Sequence, residues 1–165
     1  MQNEARIYSK SLEGDKQLTS SFKVKEFACN DGSDVILIHP DLPAVLQNIR
    51  NQFGKPIIIN SGYRTPEYNK KVGGATRSQH CYGTAADIVV DGVSPASVAI
   101  AAEKALKKTG YPGGIGLYKS FVHVDVRSKR YRWDQRSGKE VAVSGVWKMS
   151  LNSLFSVLRS LCFIQ

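Results

Sequence analysis

The chain has 165 residues, 42% hydrophobic and 22% charged, which suits one globular domain with a buried core and excludes intrinsic disorder. No run approaches the roughly 20 consecutive apolar residues of a membrane-spanning helix. With 23 Lys+Arg against 14 Asp+Glu the formal net charge is +9, so polyanions are the preferred partners: nucleic acid, anionic lipid headgroups or the acidic polymers of a bacterial wall.

Residues 1–21 read as a polar N-terminal arm anchored only by Ile7, Tyr8, Leu12 and Leu18, and Met1 to Lys16 does not have the form of a secretory signal. Pro40 opens an amphipathic helix over 40–53, in which Leu42, Val45, Leu46, Ile49 and Phe53 recur at helical spacing before Gly54. Pro56 leads a β-branched run, Ile57-Ile58-Ile59, that predicts a buried strand, and Ser61 to Pro66 reads as a loop. A second strand is expected over 84–90. Ser94-Pro95 caps an Ala-rich helix reaching about Lys108, with Lys107 and Lys108 complementing the helix dipole. Strands follow at 115–118 and 121–126. Helices mixed with short, irregularly spaced strands predict an α+β fold with a small, mostly antiparallel sheet flanked by helices.

Three cysteines, Cys29, Cys81 and Cys162, cannot all pair, and their spacing is neither a disulfide framework nor a zinc knuckle. Two of the three histidines carry more information. His80 sits in a polar loop seven residues before Asp87, which falls inside a strand. Phe121-Val122-His123-Val124-Asp125-Val126 alternates with period two, so the valines face one side while His123 and Asp125 share the other. An unpaired carboxylate at Asp87 is costly to bury, and a cation would compensate it. Two imidazoles and one carboxylate are the donor set of a catalytic zinc site, whereas structural sites are closed by four protein ligands. Taken singly, His80 reads as a satisfied loop residue and Asp87 as a turn former; it is their conjunction with the His-x-Asp strand that points to a metal.

The pattern Ser78-x-His80-x-x-Gly83-x-Ala85-x-Asp87, followed by His123 in Val-His-Val-Asp, resembles the zinc D-Ala-D-Ala carboxypeptidases and L-Ala-D-Glu endopeptidases of the hedgehog-like fold, a group that includes phage endolysins. Ser61-Gly62-Tyr63-Arg64, Asn69 with Gly73-Gly74, and Gly114-Ile115-Gly116 extend the resemblance over about residues 22–133. It implies a zinc peptidase domain over 22–148 holding one Zn2+ through His80, Asp87 and His123. It implies that Arg64 neutralises a substrate carboxylate or the tetrahedral intermediate, and that Ser78 bonds the substrate or a ligand. The implied reaction is amide hydrolysis in peptidoglycan peptides, as carboxypeptidase or endopeptidase, by a protein made in the cytoplasm and acting on the cell wall after phage-type release.

One position departs from the family. Many relatives carry an acidic residue three positions before the second zinc histidine, as general base; here it is Ser120. Asp125 either takes over that catalytic role or orients His123 from behind. A non-catalytic, zinc-containing wall-binding or structural protein is the alternative that Ser120 motivates. His39, before Pro40, reads as a capping or surface residue. The basic run Arg127, Lys129, Arg130, Arg132, Arg136 and Lys139 reads as a solvated edge or wall-binding rim in preference to a nucleic-acid face. Residues 149–165, with Leu151, Leu154, Phe155, Leu158 and Leu161 at helical spacing, read as an apolar C-terminal helix or tail, either docked on the body, in contact with a membrane, or outside the functional domain.

Overall fold

The structure is a computed structural model that describes residues 4–144, so the apolar stretch 149–165 and Cys162 lie outside the described residues. Its elements are β1 (Arg6–Ser9), α1 (Lys10–Glu13), β2 (Val35–Ile38), α2 (Leu42–Phe53), β3 (Ile57–Ser61), α3 (Pro66–Lys71), β4 (Ala85–Val90), α4 (Pro95–Thr109), β5 (Gly114–Leu117), β6 (Val122–Asp125), β7 (Tyr131–Asp134) and β8 (Val141–Ala142), with 3-10 turns at Val24–Phe27 and Gln79–Tyr82. Six strands form one sheet in the order β3-β4-β6-β5-β7-β8, antiparallel throughout except for the β5–β7 pair. This is the mixed α+β architecture expected from the sequence. Among the described residues, no helix is long and apolar enough to cross a membrane.

The N-terminal stretch contributes β1, which pairs antiparallel with β2. Of its four apolar residues Tyr8 is buried and Leu18 packs on the core, while Ile7 and Leu12 are exposed. Helix α2 begins at Leu42 and not at Pro40: Asp41 is its N-cap and Pro43 lies in its first turn. His39, expected to be a capping or surface residue, is buried, and its Nδ1 accepts from the Asp41 N–H at 3.3 Å just ahead of the helix, which has no side-chain cap bond. At α4 the Ser94 hydroxyl accepts from the Ser97 N–H, Pro95 occupies the first turn, and Gly110 (φ 79) closes the end. Its buried alanines, Ala99, Ala101, Ala102 and Ala105, favour the helix and let neighbouring backbone approach closely.

The core lies between these two helices and one face of the sheet. Strand alternation sends Ala86, Ile88 and Val90 of β4, Ile115 and Leu117 of β5, and Val122 and Val124 of β6 to that face. The Ile57–Ile59 run, expected to be buried, is instead the edge strand β3: Ile57 is buried, but Ile58 points to the uncovered face and is 54% exposed. The face that the helices leave uncovered carries the polar residues of interest.

Candidate metal centre

His80 is placed by a tightly capped turn. The Ser78 hydroxyl accepts from the His80 N–H at 3.3 Å, and Gly83, at φ 66, ends the turn in the left-handed region. A Cβ at position 83 would stand 2.4 Å from the Leu37 carbonyl oxygen, so only glycine fits. The His80 ring then donates Nδ1–H to the Gly62 carbonyl at 2.7 Å, which fixes the tautomer and leaves Nε2 bare.

Asp87 and His123 are direct register partners across β4 and β6, so their side chains rise together from the uncovered face. Asp87 Oδ1 lies 3.0 Å from His123 Nδ1 and 3.2 Å from His80 Nε2, and the two ring nitrogens are 3.1 Å apart. His123 commits its far nitrogen, Nε2, to Asp125 Oδ2 at 3.0 Å. His80 Nε2, His123 Nδ1 and Asp87 Oδ1 therefore converge, all buried, with mutual separations within 4.8 Å. With both imidazoles neutral these are three lone pairs aimed at one point, an arrangement that a shared cation relieves. Two nitrogens and one oxygen suit zinc and leave room for a further ligand.

The two histidines differ in their electrostatics. Burial lowers the pKa of His80, against the pull of Asp87, and so favours a free lone pair. Burial alone would raise the Asp87 carboxyl, but its bonds with His123 and His80 outweigh this and hold it ionised well below the usual carboxylate range. Burial also opposes a charge on His123, yet Asp125 and Asp87 reverse this and raise its pKa to about 9. A metal entering the site displaces that proton, so its affinity rises with pH.

Of the other residues expected at the site, Arg64 bonds Asp87 Oδ2 through Nη2 at 2.6 Å and Ser61 Oγ through Nε at 2.7 Å. It thereby holds the carboxylate with Oδ1 turned to the imidazoles. Ser78 lines the same cleft, with its hydroxyl used as a cap. Asp125 is fully buried behind the His123 ring. Its oxygens are occupied by His123, by the N–H groups of Gly114 (2.8 Å) and Arg127 (3.0 Å), and by the Arg127 guanidinium. Burial would raise its pKa, but His123 and Arg127 keep it ionised.

The cleft above the three ligand atoms has a volume of about 680 Å³. Sequence reasoning missed several parts of its wall. Arg127, placed there in a solvated basic run, is the partner of Asp125 and lies over the rings of Tyr131 and Trp133. The alternation His123, Asp125, Arg127 was the available signal. In the same run Arg132 is buried and bonded to Glu103, and Arg136 pairs with Asp134, so these arginines do not form an open basic face. Trp133 stands 5.1 Å from His123, ring to ring. It gets there over Gly116, where a Cβ would meet the indole at 2.3 Å, and a Cβ on Gly114 would meet Asp125 Oδ2 at 2.2 Å. The Gly-Ile-Gly of β5 thus makes space for the groups behind and beside His123. Ser120 is exposed in the β5–β6 turn; the cleft carboxylates among the described residues are Asp87 and Glu140, and Glu140 accepts from the Tyr131 hydroxyl at 2.5 Å.

Comparison with known proteins gives a family and two similar proteins. Residues 17–125 match the family described as Peptidase M15. The zinc D-Ala-D-Ala carboxypeptidase of Streptomyces albus G is 40% identical over 73 residues, which are 41% of this chain and 29% of that protein, so the match spans under a third of the relative's length. The crystal structure of the L-Ala D-Glu endopeptidase ChiX of Serratia marcescens aligns with a TM-score of 0.45 at 23% identity, covering 55% of this chain and 80% of that one. The family match runs from the first turns of the body to the end of β6 and takes in all three metal-ligand candidates, so the chain belongs to the Peptidase M15 family.

Proposed function

We propose that the protein is a zinc peptidase that hydrolyses amide bonds in peptidoglycan peptides. The observation that carries this reading is the convergence of His80 Nε2, Asp87 Oδ1 and His123 Nδ1 in the wall of an open cleft. The family and the carboxypeptidase activity of the Streptomyces albus G relative support the choice of zinc and of a peptidoglycan peptide. A zinc ion held by these three residues supplies Lewis acidity toward a scissile carbonyl and lowers the pKa of water.

The chain's own residues do the rest. Gly62 and Asp125 each hold one imidazole in the tautomer whose other nitrogen faces the cleft. Arg64 orients Asp87, and its positive charge beside the cleft offsets negative charge gathering on the substrate. Asp125, shut away behind His123, is assigned the orienting role and not that of base. The cell wall is the site of action in this reading, after release from the cytoplasm in the manner of a phage lysin, and the charge of +9 favours retention on anionic wall polymers.

The test is mass spectrometry of purified peptidoglycan fragments after digestion, with chelator and then with added zinc. Cleavage that chelator abolishes and zinc restores is expected, and the product masses distinguish a carboxypeptidase from an endopeptidase. One zinc bound per chain with no cleavage would instead support a wall-binding protein that lacks a base at position 120.

A further inference from the structure

Tyr118 follows β5 with the same alternation as Gly114 and Gly116, and so lines the cleft together with Arg64, His80, Asp87 and His123. It is fixed from three directions. Its ring stacks on Phe121 with centroids 4.2 Å apart and planes 12° from parallel. Its N–H closes the β5–β6 turn onto the Phe121 carbonyl at 3.1 Å. Its hydroxyl oxygen accepts from the Trp133 Nε1–H at 3.2 Å. An indole N–H can only donate, so that bond uses an acceptor site of the phenol and leaves its proton free. Among the described residues, no acceptor takes that proton.

Two of the three arginines that line the cleft are already bonded, and the third, Arg77, is exposed. Arg64 is bonded to Asp87 and Ser61, and the Arg127 guanidinium is bonded to Asp125. Burial raises the Tyr118 pKa, against the opposing bond from Trp133, so the phenol stays protonated at neutral pH.

Resting on the zinc-peptidase reading, we propose that Tyr118 is the hydrogen-bond donor to the scissile carbonyl oxygen, strengthening its hold as that oxygen becomes an oxyanion. In the addition step the water oxygen bonds to the carbonyl carbon and the C=O π pair moves onto the carbonyl oxygen, where the Tyr118 O–H donates without giving up its proton. On collapse the C=O bond re-forms, the C–N bond breaks, and a proton that came from the water leaves on the amine. Trp133 is the positioning residue: by donating to the phenol oxygen it turns the phenol proton outward into the cleft.

The experiment is Tyr118→Phe in the zinc-loaded protein, read by kcat, KM, zinc content and calorimetric binding of two probes. The probes are a dipeptide phosphinate, whose tetrahedral oxygens mimic the intermediate, and the product peptide. The expected result is a kcat lower by about 10²-fold, KM within about twofold, and one zinc retained. The phosphinate should bind more weakly by a factor similar to the loss in kcat, while product affinity is unchanged. Unchanged kcat and phosphinate affinity overturn the proposal. So does an equal loss for phosphinate and product, which marks a merely structural role. Failure of the parent reading looks different: a wild-type protein that holds zinc yet neither cleaves nor prefers the phosphinate over the product, which removes both.

Discussion

On the face of β4, β5 and β6 that meets the helices, Ala86, Ile88, Ile115, Val122 and Val124 are closed to solvent. One residue along the same strands, Asp87, His123 and Asp125 are 7%, 7% and 0% exposed. Burial is nearly equal on the two faces and the chemistry is opposite. An apolar face is stabilised by area and shape, so each residue contributes on its own and a similar volume can replace it. On the polar face every buried group depends on a named partner, and the set holds together only when all are present. The first face therefore sets stability, and the second sets what the protein can bind.

The largest effect expected from separating the two is on the apolar side. Ile88 is fully buried in β4, next to Asp87 in sequence and on the opposite face in space. Ile88→Ala should cost about 2–5 kcal/mol of unfolding free energy in denaturant titrations. Zinc affinity, measured by competition with a chelating dye on the folded protein, should stay within about twofold. A loss of affinity as large as the loss of stability would mean that the two faces are not separable.

The converse change is Asp125→Asn, which keeps the size of the side chain but removes the charge that orients His123. The expected loss is about 10–100-fold in zinc affinity, or about 1.4–2.7 kcal/mol, in the same dye competition. Unaltered zinc affinity with turnover abolished would return Asp125 to the role of base. Unaltered affinity and turnover would remove it from the site altogether.

How much of this was legible in the sequence follows the same division. Period-two alternation in 121–126 separates Val122, Val124 and Val126 from His123 and Asp125 without any structure. The pairing of Asp87 opposite His123 was not legible, because register across β4 and β6 depends on strand order, which no local pattern encodes. Tyr118, Trp133 and the Gly62 carbonyl joined the site through that order and through backbone geometry, so residue type alone gave no reason to select them. Helix α3 is a different kind of miss. Thr65-Pro66 repeats the cap-plus-proline signature of Ser94-Pro95, and the Thr65 hydroxyl accepts from the Tyr68 N–H, but the element is too short to show periodicity. Strand β2, with Val35 and Ile36 followed by Leu37 and Ile38, reads equally as buried helix or strand.

The smallest effect concerns a charge pair on the core side of β7. Arg132 is buried there one residue before the cleft-facing Trp133, and it bonds Glu103 of α4, which also pairs with Arg130 at 2.8 Å. Burial alone would raise the Glu103 pKa, but Arg132 and Arg130 outweigh it and bring the value below the ordinary 4.5. A carboxyl depressed on folding contributes stability that is fully present above its unfolded value and is lost as pH falls through its folded one. Wild-type stability should therefore decline on acidification below 4.5, and Glu103→Gln should lack that part of the decline. Thermal midpoints of the two proteins from about pH 7 to about pH 3 isolate it, since the other buried carboxylates are common to both and cancel in the difference. The gap between the curves should narrow toward low pH. It should also stay modest throughout, because Arg132 keeps the carbonyls of Gly113 (2.5 Å) and Pro112 (3.1 Å) when the carboxylate is gone. Turnover per folded molecule should not change, as Glu103 touches only the core side; a fall in turnover would show that Arg132 transmits its position to Trp133 and that the division between the faces fails at β7.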